Sequence, residues 1–272
     1  MDIACQERLL PGDSFREKVE CAARIGFEGI EINASFDACG GSSVADRLDE
    51  IRDAIADINV EISSICGGHP NDFLAADRDK RRQAVECYEQ SLRLAGELGT
   101  TGPILVPIFG PPQISDPWPL RSLESLEKEI LAAICEQLAA VAIEHDTNVV
   151  LEPLNRYETH LINTLADAVE VCEMAGNPEG LTIMADFFHM NIEEANIAES
   201  IRKAGDWISH VHLADSTRLE PGTAHTDFEA GLGALQDIGY EGYMALECGL
   251  SGAPEESLTS CVEYLKEIRA TL

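Results

Sequence analysis

Four apolar runs in the second half of the chain each close on groups that can hold a metal or move a proton. NVVLEPL carries Glu152, LTIMADF carries Asp186, ISHVHLA carries His210 and His212, and GYMALEC carries Glu247. An unpaired carboxylate in so apolar a setting is costly. Taken singly, each acid also reads as half of a buried ion pair. Taken together, at one level of four successive runs, three acids and an imidazole call for a compensating cation. Such a donor set suits Mn²⁺, Mg²⁺ or Co²⁺, and the lack of Cys among the donors argues against structural zinc. His210 lies two residues before His212, on the same face of an extended strand but deeper, so it reads as a floor residue rather than a ligand. Three more polar groups follow at short spacing: Glu158 in EPLNRYE, His189 one helical turn after Asp186, and Arg218 in HLADSTR. An acid, an imidazole and a guanidinium around a metal suit a polyhydroxylated ligand. Each of the three, alone, also reads as an ordinary solvated loop residue.

Residues so far apart in sequence meet only if a scaffold carries them to one place. Short Val/Ile/Leu-rich runs alternate with longer amphipathic segments along the whole chain. The runs at 29–33, 60–66, 103–109, 148–154, 181–187, 208–214 and 242–248 read as strands, and 1–6 as a weaker eighth. Helices are predicted between them at about 14–25, 44–57, 78–98, 121–145, 164–175, 193–204, 226–238 and 255–269. Ser14 and Thr164 read as N-caps, and Gly26, Gly99 and Gly239 as stops. Apolar strands imply a parallel sheet buried on both faces. Eight βα units in 272 residues predict one (β/α)₈ TIM barrel domain spanning 1–272, with a doubly wound open sheet as the other arrangement. In such a barrel chemistry sits at the C-terminal strand ends, where these polar groups fall.

The run LEPLNRYETHLINT, then DFFHMNIEE, then HVHLADSTRLEPG, then LE near the end resembles the ketose 3-epimerases of the D-tagatose and D-psicose type, within the xylose-isomerase-like barrels. The resemblance spans the chain in order and spacing and is most specific from Glu152 onward. It implies one Mn²⁺ or Co²⁺, with Mn²⁺ the first expectation, on Glu152, Asp186, His212 and Glu247. It also implies sugar contacts from Glu158, His189 and Arg218, and dimers or tetramers. The chain has Ala214-Asp215 where these epimerases usually have Gly-Glu, and PGTA where their next turn often reads PGxG. The N-terminal half matches loosely; there, Cys66 and Trp118 are candidates for the wall around the far end of the sugar.

The chemistry expected is proton transfer through a metal-stabilised enediolate on a free ketohexose or related ketose. Glu152 and Glu247, from strands five and eight, can serve opposite faces of the substrate as catalytic acid and base. Arg218 and His189 would hold its oxygens, and Glu158 a terminal hydroxyl. Another isomerase of the same superfamily, hydroxypyruvate-type or an inosose dehydratase, stays open, as does a non-catalytic sugar-binding barrel.

Composition limits the partners. Hydrophobic residues make up 45% and charged residues 25%, as in an ordinary soluble domain. No uninterrupted apolar stretch is long enough to span a membrane, and MDIACQERLLPGDSF does not read as a signal peptide, so a cytoplasmic protein is expected. Nine Cys stand singly, without a C-x-x-C, and read as small core residues in a reducing compartment. The 49 acids and 19 bases give a net charge of -30, which repels nucleic acid. That charge and only seven His weigh against the DNA-cleaving endonucleases that share this barrel and use more His ligands for several zinc ions. The acids are spread over helices such as DRLDEIRDAIAD, which suits either an acidic enzyme or a chain built for a high-salt cytoplasm, where salt screens self-repulsion. Thermal unfolding against salt separates these two. The high-salt reading predicts unfolding in low-salt buffer; stability indifferent to salt ends it.

Overall fold

The computed structural model describes residues 1–36 and 43–272; Cys39, one of the nine single cysteines, lies outside them. Eight strands form one all-parallel sheet: β1 (Asp2–Gln6), β2 (Gly29–Ala34), β3 (Glu61–Gly67), β4 (Ile104–Leu105), β5 (Val149–Leu151), β6 (Leu181–Asp186), β7 (Ile208–Leu213) and β8 (Tyr243–Leu246). Their order is β3-β2-β1-β8-β7-β6-β5-β4. A parallel bridge between Ile65 and Pro103, with Thr101 N–H donating to the Ser63 carbonyl at 3.0 Å, brings the two ends together into a nearly closed barrel. The architecture is the (β/α)₈ TIM barrel.

The helices are α1 (Phe15–Ile25), α2 (Ser43–Ile55), α3 (Arg78–Leu98), α4 (Leu123–Glu144), α5 (Leu165–Met174), α6 (Phe187–Glu193), α7 (Ile197–Ala204), α8 (Phe228–Asp237) and α9 (Pro254–Thr271). Ser14 and Thr164 cap α1 and α5 with full capping boxes, and Gly26 and Gly99 end α1 and α3 in the left-handed region. The predicted helix at 193–204 is α7, beginning four residues later than expected, and a second helix precedes it. The unexpected one, α6, runs straight on from β6. The predicted strands at 103–109 and 148–154 shrink to two and three residues. Prolines at 103, 107 and 153 supply no ladder N–H, which is why these runs stop early.

Side chains alternate along each strand. Ile3, Cys5, Ile30, Ile32, Val149, Leu151, Ile183, Ala185, Val211 and Leu213 face the helices and belong to the main core. The opposite parity faces the barrel axis. There Ile104, Val150 and Met184 form a small apolar cluster of their own, with Cys66 packed against it. The eight described cysteines are all free thiols, and seven of them are buried. Among the described residues, no helix is long and apolar enough to cross a membrane.

The packing behind β6 fixes α6. Phe187 stacks on Phe228 of α8, with ring centroids 5.7 Å apart and planes 6° from parallel. Gly231 of α8 leaves room for that ring: a Cβ there would lie 2.3 Å from Phe187 Cε1. Gly231→Ala should therefore force the buried ring or its helix aside, at about 1–3 kcal/mol. Thermal unfolding should show a loss of about 2–4 °C for each kcal/mol. An unchanged midpoint would show that the contact is freely relieved.

Candidate metal centre and active site

The residues that close the strands are held by the sheet itself. Glu152 and Glu247 are each the first residue past a strand, and each backbone N–H still reaches the neighbouring strand: Glu152 to the Leu105 carbonyl at 3.0 Å, Glu247 to the Leu213 carbonyl at 3.2 Å. Asp186 is both the last residue of β6 and the N-cap of α6. Its Oδ1 accepts from the Phe188 and His189 N–H groups at 2.7 and 3.3 Å, which leaves Oδ2 turned toward the mouth. His212 sits one residue before the end of β7. Ligand atoms of Glu152, Asp186, His212 and Glu247 all lie within 4.8 Å of one another. These four can hold one divalent cation. Three are buried and Glu247 is half-buried.

The electrostatics favour a cation here. Burial and the facing Glu247 push the Glu152 carboxyl well above the usual range. Burial also opposes ionisation of Asp186, but His189, Arg218 and His212 outweigh it and hold that carboxyl far below its usual value. Arg218 Nη1 lies 3.1 Å from Asp186 Oδ2, and its Nη2 contacts Glu247 Oε2. The guanidinium lies over the Phe188 ring, 4.4 Å from the centroid.

One carboxylate was not anticipated. Glu31, mid-strand in β2 and fully buried, lies beneath the mouth. His212 Nε2 is 2.8 Å from Glu31 Oε2, while His212 Nδ1 faces Glu247 at 3.1 Å and Asp186 at 3.7 Å. A proton on Nε2 bonded to Glu31 leaves the Nδ1 lone pair for a cation, an arrangement common behind metal-binding histidines. Glu31 is further held by Gln6 Nε2 at 2.8 Å, by the Ser64 hydroxyl and by His210 Nε2 at 2.9 Å. His210 is thus the floor residue expected. The available signal for Glu31 was its place between Ile30 and Ile32 in a strand buried on both faces.

The remaining expected residues, Glu158, His189 and Arg218, line one cavity of about 150 Å³ with Glu152 and Glu247. His189 Nε2 lies 3.8 Å from Glu152 and 3.6 Å from Asp186. Asn155, also unanticipated, donates its backbone N–H to His189 Nδ1 at 3.2 Å, so a neutral His189 carries its proton on Nε2, toward the mouth. The Asn155 side chain bonds Glu158 at 2.8 Å, tying that partly exposed carboxylate to the same network. Cys66 is in the wall as expected. Trp118 is not: it is 79% exposed and lies outside the lining, and Phe109, Ile104 and Val106 form the apolar wall instead. His69 stands beside them, edge-on to Tyr88 at 4.7 Å, with burial pushing its imidazole down to about 4, so it is neutral near pH 7.

Residues 19–268 match the xylose isomerase-like TIM barrel family. The chain belongs to that family. It is 32% identical over 256 residues to the 3-dehydro-D-guloside 4-epimerase of Escherichia coli K12, covering 91% of this chain and 92% of the relative. A shorter stretch of 111 residues is 41% identical to the D-psicose 3-epimerase of Enterocloster bolteae, covering 41% of this chain and 36% of the relative. In structure the chain resembles the apo form of an E. coli 3-keto-D-glucoside 4-epimerase, with a TM-score of 0.86 at 29% identity over 98% and 99% of the two chains. Within the family, the protein is an enzyme of the epimerase kind.

Glu31 supplies the test of this centre. Glu31→Gln keeps the shape but offers His212 a weaker and ambiguous acceptor. Divalent-metal affinity measured by calorimetry should fall about 10–100-fold. His212→Ala and Asp186→Ala should weaken it further while circular dichroism stays native. Unchanged affinity in Glu31→Gln would reduce Glu31 to a filler of the barrel floor.

Proposed function

We propose that this protein inverts a hydroxyl-bearing carbon next to the ketone of a keto sugar, using Glu152 and Glu247 as the two proton carriers. The observation that carries the reading is the meeting of these two carboxylates, from strands separated by two others, in one cavity with His189 and Arg218 and in one cluster with Asp186 and His212. A divalent ion on Glu152, Asp186, His212 and Glu247, with Mn²⁺ first and Co²⁺ or Mg²⁺ next, would supply Lewis-acid stabilisation of charge on the substrate oxygens. The chain's own residues do the rest. One carboxylate takes the proton from carbon, and the other returns one to the opposite face, which inverts the centre. Arg218 and the Nε2–H of His189 donate toward the oxygens on which charge develops. Glu158 accepts from a hydroxyl further along the sugar, and the Phe109 side of the cavity covers its apolar edge.

For the substrate, the near-complete match to the 3-dehydro-D-guloside 4-epimerase favours a 3-keto glycoside inverted at C4. The more local but higher identity to the D-psicose 3-epimerase favours a free ketose inverted at C3 as the second reading. Both place the inverted carbon beside a ketone. The net charge of -30 supports a small neutral substrate over nucleic acid or a phosphorylated sugar.

Incubation of the Mn²⁺-loaded protein in D₂O with a methyl 3-keto-glucoside and with D-psicose, followed by NMR, separates these readings. Deuterium should enter C4 of the first or C3 of the second with appearance of the epimer. No incorporation into either, with metal bound, overturns the proposal. Once the substrate is known, Glu152→Gln and Glu247→Gln should each exchange the proton of only one epimer, and net epimerisation should vanish in both. A metal-loaded variant that exchanges both epimers would mean that a single base serves both faces.

A further inference from the structure

The loop after β7 that carries Arg218 is built around one buried carboxylate. Asp215 is 1% exposed, and its side chain faces into its own loop rather than toward the cavity. Oδ1 accepts from the Ser216 and Thr226 N–H groups at 2.8 and 3.0 Å. Oδ2 accepts from the Gly222 and Ala224 N–H groups at 3.1 and 2.8 Å. Four backbone donors spread over eleven residues thus converge on one side chain. The Asp215 backbone closes the inner turn: its carbonyl accepts from Arg218 N–H at 2.8 Å, and its N–H donates to the Leu219 carbonyl at 2.8 Å.

That inner turn holds Arg218 at a φ of 60°, a left-handed conformation that a residue with a side chain adopts at a cost. The loop is tied on its other side to the loop that carries Glu247. Gly249 N–H donates to the Arg218 carbonyl at 2.7 Å, and Ser251 N–H to buried Glu220 at 2.9 Å. Arg218 then leaves this frame to bridge Asp186 and Glu247. A long, flexible side chain is a precise donor only if its backbone is fixed first.

We propose that Asp215 is a positioning residue, which by gathering the amides of residues 216–226 preforms the turn that aims Arg218 at the cavity. It rests on the epimerase reading only for the kinetic part of its test. Asp215→Asn is the variant of choice, because the amide nitrogen would meet backbone N–H groups donor to donor.

Four metal-loaded full-length proteins are compared: wild type, Asp215→Asn, Arg218→Ala and the double variant. Arg218→Ala should lower kcat about 10²–10³-fold, as loss of a charge-stabilising donor does. Asp215→Asn should lower it about 10–100-fold. The double variant should be no slower than Arg218→Ala alone, because Asp215 acts through a guanidinium already gone. Asp215→Asn should bind metal with the affinity of the wild type, because its side chain touches no cation ligand. Losses that multiply in the double variant, or metal affinity lost in Asp215→Asn, overturn the proposal. Amide hydrogen exchange gives a reading that needs no substrate. Gly222, Ala224 and Thr226 should be protected in the wild type and exchange faster in Asp215→Asn, together with Arg218, while β7 is unchanged. Amides that exchange in the wild type like those of an open loop overturn the proposal even if the variant fails to fold. Should no keto sugar react, the exchange measurement still decides the role of Asp215.

Discussion

The buried negative charge at the barrel mouth governs the rest of the structure. Glu152, Asp186 and Glu247 crowd within one ligand radius of each other, and Glu31 lies a single imidazole beneath them. Carboxylates this close repel one another strongly where water is scarce, and desolvation adds a further cost. Every polar feature nearby answers that cost. The guanidinium of Arg218 bridges two of the acids, His212 stands between the upper group and Glu31, and the α6 N-terminus caps Asp186. A divalent cation answers it most fully, since its charge equals that of two carboxylates. The strain of bringing the acids together is borne by the sheet, because a side chain set on hydrogen-bonded strand ends cannot swing away from its neighbours.

This constraint explains why some of the site was readable without coordinates. An acid inside an apolar run is a rare event with few physical explanations, so Glu152, Asp186 and Glu247 stood out, and strand-end placement made them one group. The fold was readable for a related reason: apolar strand runs and amphipathic helices differ in period, and eight alternations leave few topologies. What stayed hidden was whatever depended on the direction a side chain faces within a strand. Glu31, Gln6 and Ser64 all point to the axis, but Glu31 and Ser64 sit mid-strand and Gln6 closes β1 without a charge, and knowing that they meet requires the sheet register that pairs Gln6 and Ser64 with Glu31. Asn155 was hidden because its role runs through a backbone N–H, which has no signature in residue type. The helix α6 was hidden because Asp186 ends a strand and begins a helix at one position, with no turn residues between to mark the change. The exposure of Trp118 was equally out of reach, since a large apolar ring in a loop has no periodic neighbours to say which way it faces.

The barrel also divides its work between its two halves. The strands from β5 to β8 and the loops that follow them supply the residues that can hold a cation, the two proposed proton carriers and Arg218. The end of β3 and the loops after β3 and β4 supply Cys66, His69, Phe109 and the apolar edge of the cavity. The first half is fixed by ladder hydrogen bonds and paired charges, so a substitution there changes several interactions at once. The second is made of loop residues that touch one another through packing. Gly67 and Gly68, both at positive φ, let the chain turn there, and Pro107 interrupts the strand pairing. Such a wall can change shape without disturbing the charges opposite.

That division bears on what the site can discriminate. A ketone with a neighbouring hydroxyl presents the same two oxygens, and the same acidic carbon between them, whether the ketone is at C2 of an open ketose or at C3 of a closed glycoside ring. In the proposed reaction Glu152, Glu247, His189 and Arg218 meet those atoms. As proposed, they set the reaction as proton transfer beside a ketone and are indifferent to what the remaining carbons carry. On the same proposal the neutral His69 imidazole, the apolar edge and Glu158 face the remaining carbons, and there a ring with an aglycone differs from a chain ending in a primary alcohol by shape and hydroxyl placement. The choice of sugar therefore rests on contacts worth about 1–3 kcal/mol apiece. The choice of reaction rests on a cluster of charges whose members cannot be exchanged singly. On the proposed function, reaction and substrate are thus set by different physics on opposite walls of one cavity, and the reaction is the more firmly fixed of the two.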